Sequence, residues 1–273
     1  MQELMQIVDS LGLSTSTESH VVVCDKSQMA FENPAKLHIE IGEHAVADIF
    51  ILHSEVKKCE VYIDIAEHAK CNLVELYTVE SEVVMHINQA MGALSTSVTV
   101  GLNSLTSNYD ISLNGIGAHA EINTLQLAGL DEKSLLKINM RHLTTDSSSY
   151  SLSKCVASGR ASVEFGGLVY VAQDAQRTSA EQNTRSLFLS DTAYIKAEPQ
   201  LEIFADDVKC THGATVGQID SDAILYMRQR GLSQEQARRV QMEGFIRDIV
   251  ERSPIEGLAE PIMNIVNDKL HQM

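Results

Sequence analysis

Glu43-His44-Ala45-Val46-Ala47-Asp48-Ile49 returns as Glu67-His68-Ala69-Lys70-Cys71-Asn72-Leu73, and more loosely as Met91-Gly92-Ala93-Leu94 and Ala118-His119-Ala120-Glu121-Ile122. Ala45, Ala69, Ala93 and Ala120 are separated by 24, 24 and 27 residues, which is the spacing of a solenoid repeat. Between these anchors apolar residues alternate with polar ones: Leu37, Ile39, Ile41; Val61, Ile63, Ile65; Val98, Val100, Leu102; Ile111, Leu113; Ile122, Leu125, Leu127. A period of two with β-branched enrichment specifies strands, and the recurrent small residue marks a tight corner. A repeat of this length holds two or three short strands, each pairing with its counterpart one coil above, as in a parallel β-helix.

Such a core stacks like on like, so aliphatic ladders suffice to fill it. The chain has seven Tyr, six Phe and no Trp, which fits that core better than a conventional globular one. Only four prolines occur, Pro34, Pro199, Pro254 and Pro261, so few ladder hydrogen bonds are lost. From about Lys154 to Gly217 the alternation persists, through Ala161 to Val171 and Gln200 to Phe204, with a polar loop expected near residues 173–185.

After Gly217 the period changes. Asp220 can cap a helix running to Arg230, closed by Gly231, and Ser233-x-x-Gln236 is a capping box for the next helix. In that helix Met242, Phe245, Ile246, Ile249 and Val250 form an apolar stripe facing a partner surface. Ser253-Pro254 ends it, and a third helix is expected from Glu260-Pro261 to the terminus. Leu4, Val8 and Leu11 give a short amphipathic helix before Gly12. Helices at both ends are expected to cover the open edges of the β-helix. The chain therefore divides into an N-terminal helical segment (1–15), a parallel β-helix (16–217) and a C-terminal helical domain (218–273).

Of the 273 residues, 44% are hydrophobic and 21% charged, a globular composition. The formal charge of -16 would repel phosphate backbones and anionic lipid, so neither nucleic acid nor membrane is an expected partner. No apolar run has the length of a membrane span and no charged-then-apolar leader opens the sequence, so a soluble, cytoplasmic protein is expected. Five singly scattered cysteines, Cys24, Cys59, Cys71, Cys155 and Cys210, suggest neither a disulfide framework nor a zinc ribbon. Each is expected to be a reduced thiol.

The chain lacks a P-loop and a complete dinucleotide fingerprint, so nucleotide binding has no support, and without a G-x-S-x-G elbow or H-E-x-x-H it does not read as a stand-alone hydrolase. His44, His68 and His119 share a repeat position and could line up, with a break at Gly92; this is more often a property of the repeat than a metal site. Cys210-x-His212 is different in kind. Residues two apart on a strand face the same side, which presents a soft thiol beside an imidazole as candidate metal ligands. Two donors do not close a site, and a half-buried Cys beside a polar His at a strand end is the plain alternative. Asp206-Asp207 reads as a solvated turn. Acidic residues on a β-helix can also serve sugar binding or carbohydrate chemistry, an alternative that architecture alone supports.

The C-terminal third carries a more specific signal. Gln176-Arg177-Thr178, Gln182-Asn183-Thr184-Arg185-Ser186-Leu187-Phe188-Leu189-Ser190, Pro199-Gln200-Leu201-Glu202-Ile203-Phe204-Ala205-Asp206-Asp207-Val208-Lys209-Cys210-Thr211-His212-Gly213-Ala214-Thr215-Val216-Gly217 and Leu225-Tyr226-Met227-Arg228-Gln229-Arg230-Gly231 closely resemble the SufB/SufD family of iron-sulfur cluster assembly proteins. The match is strong over about residues 160–252.

The resemblance implies a right-handed parallel β-helix with a C-terminal helical domain, acting as a non-catalytic scaffold. It implies a SufB-like partner joined through the β-helix, or a second copy of the chain, and a SufC-like ABC ATPase docked on the C-terminal helices. Met242, Phe245, Ile246 and Ile249 would contribute to that docking. It implies no stably bound cofactor, only a transient iron or iron-sulfur cluster near Cys210 and His212 at the subunit interface. Ala193 stands where SufB-type chains carry a scaffold cysteine, and Gly213 where they carry glutamate, so the resemblance is to the D subunit. Family members also carry an N-terminal helical domain, of which this sequence shows almost nothing.

Overall fold

The computed structural model describes residues 2–55 and 57–273. Among these, strands alternate between two parallel sheets. The first sheet takes Ser14–Ser16, Lys26–Glu32, Val46–His53, Lys70–Tyr77, Leu94–Gly101, His119–Ala128, Ser148–Ala157, Ser179–Phe188 and Lys209–Gln218, in that spatial order. The second takes His20–Val23, Lys36–Ile41, Lys57–Ile65, Ser81–Gln89, Leu105–Leu113, Lys133–His142, Ser162–Val171 and Tyr194–Ile203. Sequence neighbours lie on opposite sheets and spatial neighbours are one coil apart, which defines a parallel β-helix with two strands per coil.

Register shows the coil widening along the axis. His20 pairs with His38, 18 residues on, and Lys36 with Glu60, 24 on. Lys133 pairs with Ser162, 29 on, and Ser162 with Tyr194, 32 on.

The corners follow the alanine repeat with one change. The amides of Ala45, Ala69, Ala93 and Ala118 donate to the carbonyls of Gly42, Ala66, Ala90 and Gly115 three residues earlier, at 3.1, 3.2, 3.2 and 3.2 Å. The residue before each is left-handed: His44 (φ 61°), His68 (56°), Gly92 (62°) and Gly117 (73°). Ala118, rather than the expected Ala120, is the fourth anchor; Ala120 lies within a strand opposite Ser95. His119 thereby leaves the histidine line. His44 and His68 stack with centroids 5.4 Å apart, while the His119 ring nitrogen Nδ1 is 2.8 Å from Ser148 Oγ.

The lumen holds stacked aliphatics such as Leu37, Val61, Ile39, Ile63, Ile111 and Ile138, all buried. The second sheet shows alternating burial, as in Ser81–Gln89 and Lys133–His142. The first is buried on both faces along Val46–His53 and Lys70–Tyr77, because helices cover its outside. Residues 179–185 belong to a strand instead of the expected polar loop, leaving 172–178 as the turn. There the inward residues are Ala180, Gln182, Thr184 and Ser186, so the lumen itself is polar and the pattern carries no hydrophobic signature.

The helices are α1 (Gln2–Ser10), α2 (Ser221–Gln229), α3 (Gln234–Val250) and α4 (Ala259–Leu270). Asp220 caps α2 by accepting from the Asp222 and Ala223 amides, and Ser233 with Gln236 forms the capping box of α3. Leu4 and Val8 of α1, Ile246 and Ile249 of α3, and Ile262 and Val266 of α4 join Phe50, Val74, Val98 and Leu125 in one buried cluster. Helices α1, α3 and α4 thus pack on the outer face of the first sheet, while α2, with no buried residue, rests on α3. Apolar side chains on the sheet's outer surface drew those three there, and the last coil stays uncovered. Among the described residues no helix is long and apolar enough to cross a membrane.

Candidate functional site

Cys210 and His212 sit on Lys209–Gln218, the edge strand of the first sheet. Cys210 registers with Ala180 and packs against the lumenal core; His212 registers with Gln182. Both therefore face the lumen side of the last coil, thiol and imidazole together, as two-residue spacing requires. Cys210 is half-buried and His212 exposed. Burial raises the Cys210 thiol pKa, and a backbone hydrogen bond from Ala180 partly opposes this. Burial thus favours the thiol over the thiolate, and a bound cation would act in the opposite sense.

Beneath His212, Gln182 is fully buried and its amide crosses toward the second sheet. A Cβ placed on Gly167 would lie 2.3 Å from Gln182 Nε2, so glycine at 167 is what leaves room for that amide. The sequence does not single out Gln182 as a site residue, because the polar stretch around it reads as a loop. On the other face of the strand, a Cβ at Gly213 would meet Asn183 Oδ1 at 3.0 Å, so a larger residue there would displace Asn183. Asp206 and Asp207 form an exposed bend, with the Asp207 amide donating to Gln176 Oε1 at 2.9 Å.

The α3 stripe divides. Ile246 and Ile249 are 0% exposed and spent on the chain's own sheet, so they cannot also meet a partner, and the expectation that they dock one is corrected. Phe245 packs against the same cluster, and its carbonyl accepts from Lys154 Nζ at 2.7 Å. Met242 alone of the four opens onto a groove of about 580 Å³, shared with Phe188, Leu189, Ile224 and Leu225. Beside it Leu225 and Tyr226 of α2 are exposed.

Fold and site together define a solenoid platform that offers a thiol and an imidazole at its open end. Residues 19–245 match the family model described as SUF system FeS cluster assembly, SufBD core domain, and the chain belongs to that family. It is 34% identical over 178 residues to the iron-sulfur cluster assembly protein SufD of Escherichia coli (strain K12), covering 65% of this chain and 42% of that protein. It is 30% identical over 184 residues to SufD of Bacillus subtilis (strain 168), covering 67% of this chain and 41% of that one. An iron-sulfur cluster assembly SufBD family protein of Synechocystis sp. is 39% identical over 128 residues, 47% of this chain and 27% of that protein. The chain spans less than half the length of these curated relatives.

Proposed function

We propose that this protein is a SufD-like scaffold subunit of iron-sulfur cluster assembly, holding iron or a nascent cluster as cargo between Cys210 and His212 and groups from a second subunit. The observation that carries this reading is the position of those two donors on an uncovered last coil. Two ligands are too few for a closed site, so a SufB-like subunit, or a second copy of this chain, completes the set. Tyr194, Phe204 and Val216, all exposed on the last coil, supply apolar surface for that pairing. A SufC-like ATPase docks on the groove bounded by Met242, Leu225 and Tyr226 and performs the hydrolysis; this chain is not itself an enzyme. Five free cysteines fit a reducing, cytoplasmic setting.

The test is anaerobic reconstitution with iron and sulfide in the presence of SufB-like and SufC-like partners, followed by visible absorption. His212→Ala and Cys210→Ser are expected to lower cluster yield at least several-fold while circular dichroism stays unchanged. Full yield from both variants overturns the assignment of the site. For docking, Met242→Asp and Tyr226→Asp are expected to abolish co-elution with the ATPase, and undiminished co-elution overturns it.

A further inference from the structure

The outward face of the second sheet, at the opposite end of the β-helix from Cys210, carries a column of rings in register: His20, His38, Tyr62 and His86. His20 and His38 stack with centroids 5.0 Å apart and planes 14° apart. A second column two residues further along holds Glu40, Asp64 and Asn88. The columns are joined: His20 Nε2 lies 2.7 Å from Glu40 Oε1, and His38 Nε2 lies 2.8 Å from Asp64 Oδ2.

We propose that His20, His38 and Glu40 form a binding site for a divalent transition-metal ion, distinct from the last-coil donors and independent of the assembly role above. One ligand atom from each lies within 4.8 Å of the other two. Ligands about 2.1 Å from a tetrahedral ion stand roughly 3.4 Å apart, so small side-chain rotations close the set. The backbone needs no movement, because ladder pairing already fixes His20 beside His38 and the strand pleat puts Glu40 on their side. Two imidazoles and a carboxylate suit zinc, cobalt, nickel or ferrous iron and not the all-oxygen cages of calcium or magnesium. Asp64 is the carboxylate within reach of the His38 ring, the kind of partner that orients a ligating imidazole. Tyr62 packs edge-on against that ring at 6.2 Å and limits its swing. Bound metal would tie the first two full coils together at the narrow end.

The experiment is calorimetric titration of the full chain with zinc, and with cobalt followed by its ligand-field absorption. It is run on the wild type and on a parent bearing Cys210→Ser and His212→Ala, so that binding at the last coil is removed. The parent is expected to keep one saturable equivalent. His20→Ala and His38→Ala added to that parent are expected to abolish it, and Glu40→Gln to weaken it about tenfold. These side chains face outward, so thermal midpoints without metal should stay near that of the parent; Glu40→Gln preserves shape and serves if either alanine variant fails to fold. A parent with no saturable binding, or variants that bind as the parent does, overturns the site.

Discussion

His212 stands directly over Gln182 in the parallel ladder, and neither amide atom of the fully buried Gln182 has a hydrogen-bond partner among the described residues. Burying an amide that finds no protein partner costs about 1–3 kcal/mol, so Gln182 adds no stability through protein hydrogen bonds. Gln182→Leu is expected to raise unfolding free energy by about 1 kcal/mol in urea titrations while lowering cluster yield in the reconstitution above. A variant that is more stable and fully active would remove Gln182 from the site.

Lys154 enters the interface between α3 and the first sheet with its side chain 4% exposed, ion-paired to Asp248 at 2.6 Å. Burial lowers the Lys154 pKa, and the hydrogen bond from Lys154 holds the Asp248 carboxyl below its usual value. Asp248 is itself partly exposed, which tempers the effect. Asp248→Asn strands a buried ammonium and should cost about 1–3 kcal/mol, whereas Lys154→Met should cost less than about 1 kcal/mol. Denaturant unfolding of the two variants decides; Asp248→Asn as stable as wild type sinks the tether.

His53 and His142 are buried, and desolvation lowers each pKa to about 4. Both are neutral in the fold and take up protons on unfolding below about pH 6.5. The unfolded state then binds more protons, so stability falls as pH drops from about 6.5 to about 4, by at most ~3 kcal/mol per histidine. Glu75 acts in the opposite sense. Burial raises its pKa against hydrogen bonds from Tyr77, Tyr109 and Thr99, so it favours the fold at low pH and loses that contribution as pH rises. The clean observable is a difference. His142→Gln should lose less stability than wild type between pH 7 and pH 5, and parallel losses would contradict the assignment.

Gly115 and Gly117 flank the same corner and separate two causes of glycine dependence. A Cβ at Gly115 would stand 2.0 Å from the Met91 amide nitrogen and 2.1 Å from the Ala90 carbonyl carbon, backbone that cannot step aside. At Gly117 nothing lies within 4 Å, and only the positive φ of 73° resists substitution. Gly115→Ala should cost at least about 2 kcal/mol and Gly117→Ala about 1 kcal/mol. Equal thermal midpoints for the two would show that coil-to-coil approach is not what fixes Gly115.

What the sequence revealed follows from which forces leave periodic traces. Ala45, Ala69 and Ala93 announce the coil, because a corner tolerates only small residues, and Leu37-x-Ile39-x-Ile41 announces a strand with one apolar side. The shift at Ala118 was hidden by the neighbouring Ala120, equally small. Gln182, Thr184 and Ser186 were hidden because a polar lumen inverts the usual sign of alternation. For Ile246 and Ile249, helical periodicity marks a face to be buried but does not say whether the surface that buries it belongs to the same chain. Cys210 and His212 were legible as a pair from their spacing, whereas His20, His38 and Glu40 were not, since two of them meet only through the 18-residue register between coils.

The widening of the coil gives the two ends unequal shapes. A strand of 10 residues, Lys209–Gln218, closes one end, and strands of 3 and 4 residues, Ser14–Ser16 and His20–Val23, open the other. A copy stacked head to tail would leave most of the longer strand without ladder partners, so the taper works against fibre growth. The broad end, by contrast, presents a ten-residue edge strand, long enough to pair along its whole length with a strand of equal reach.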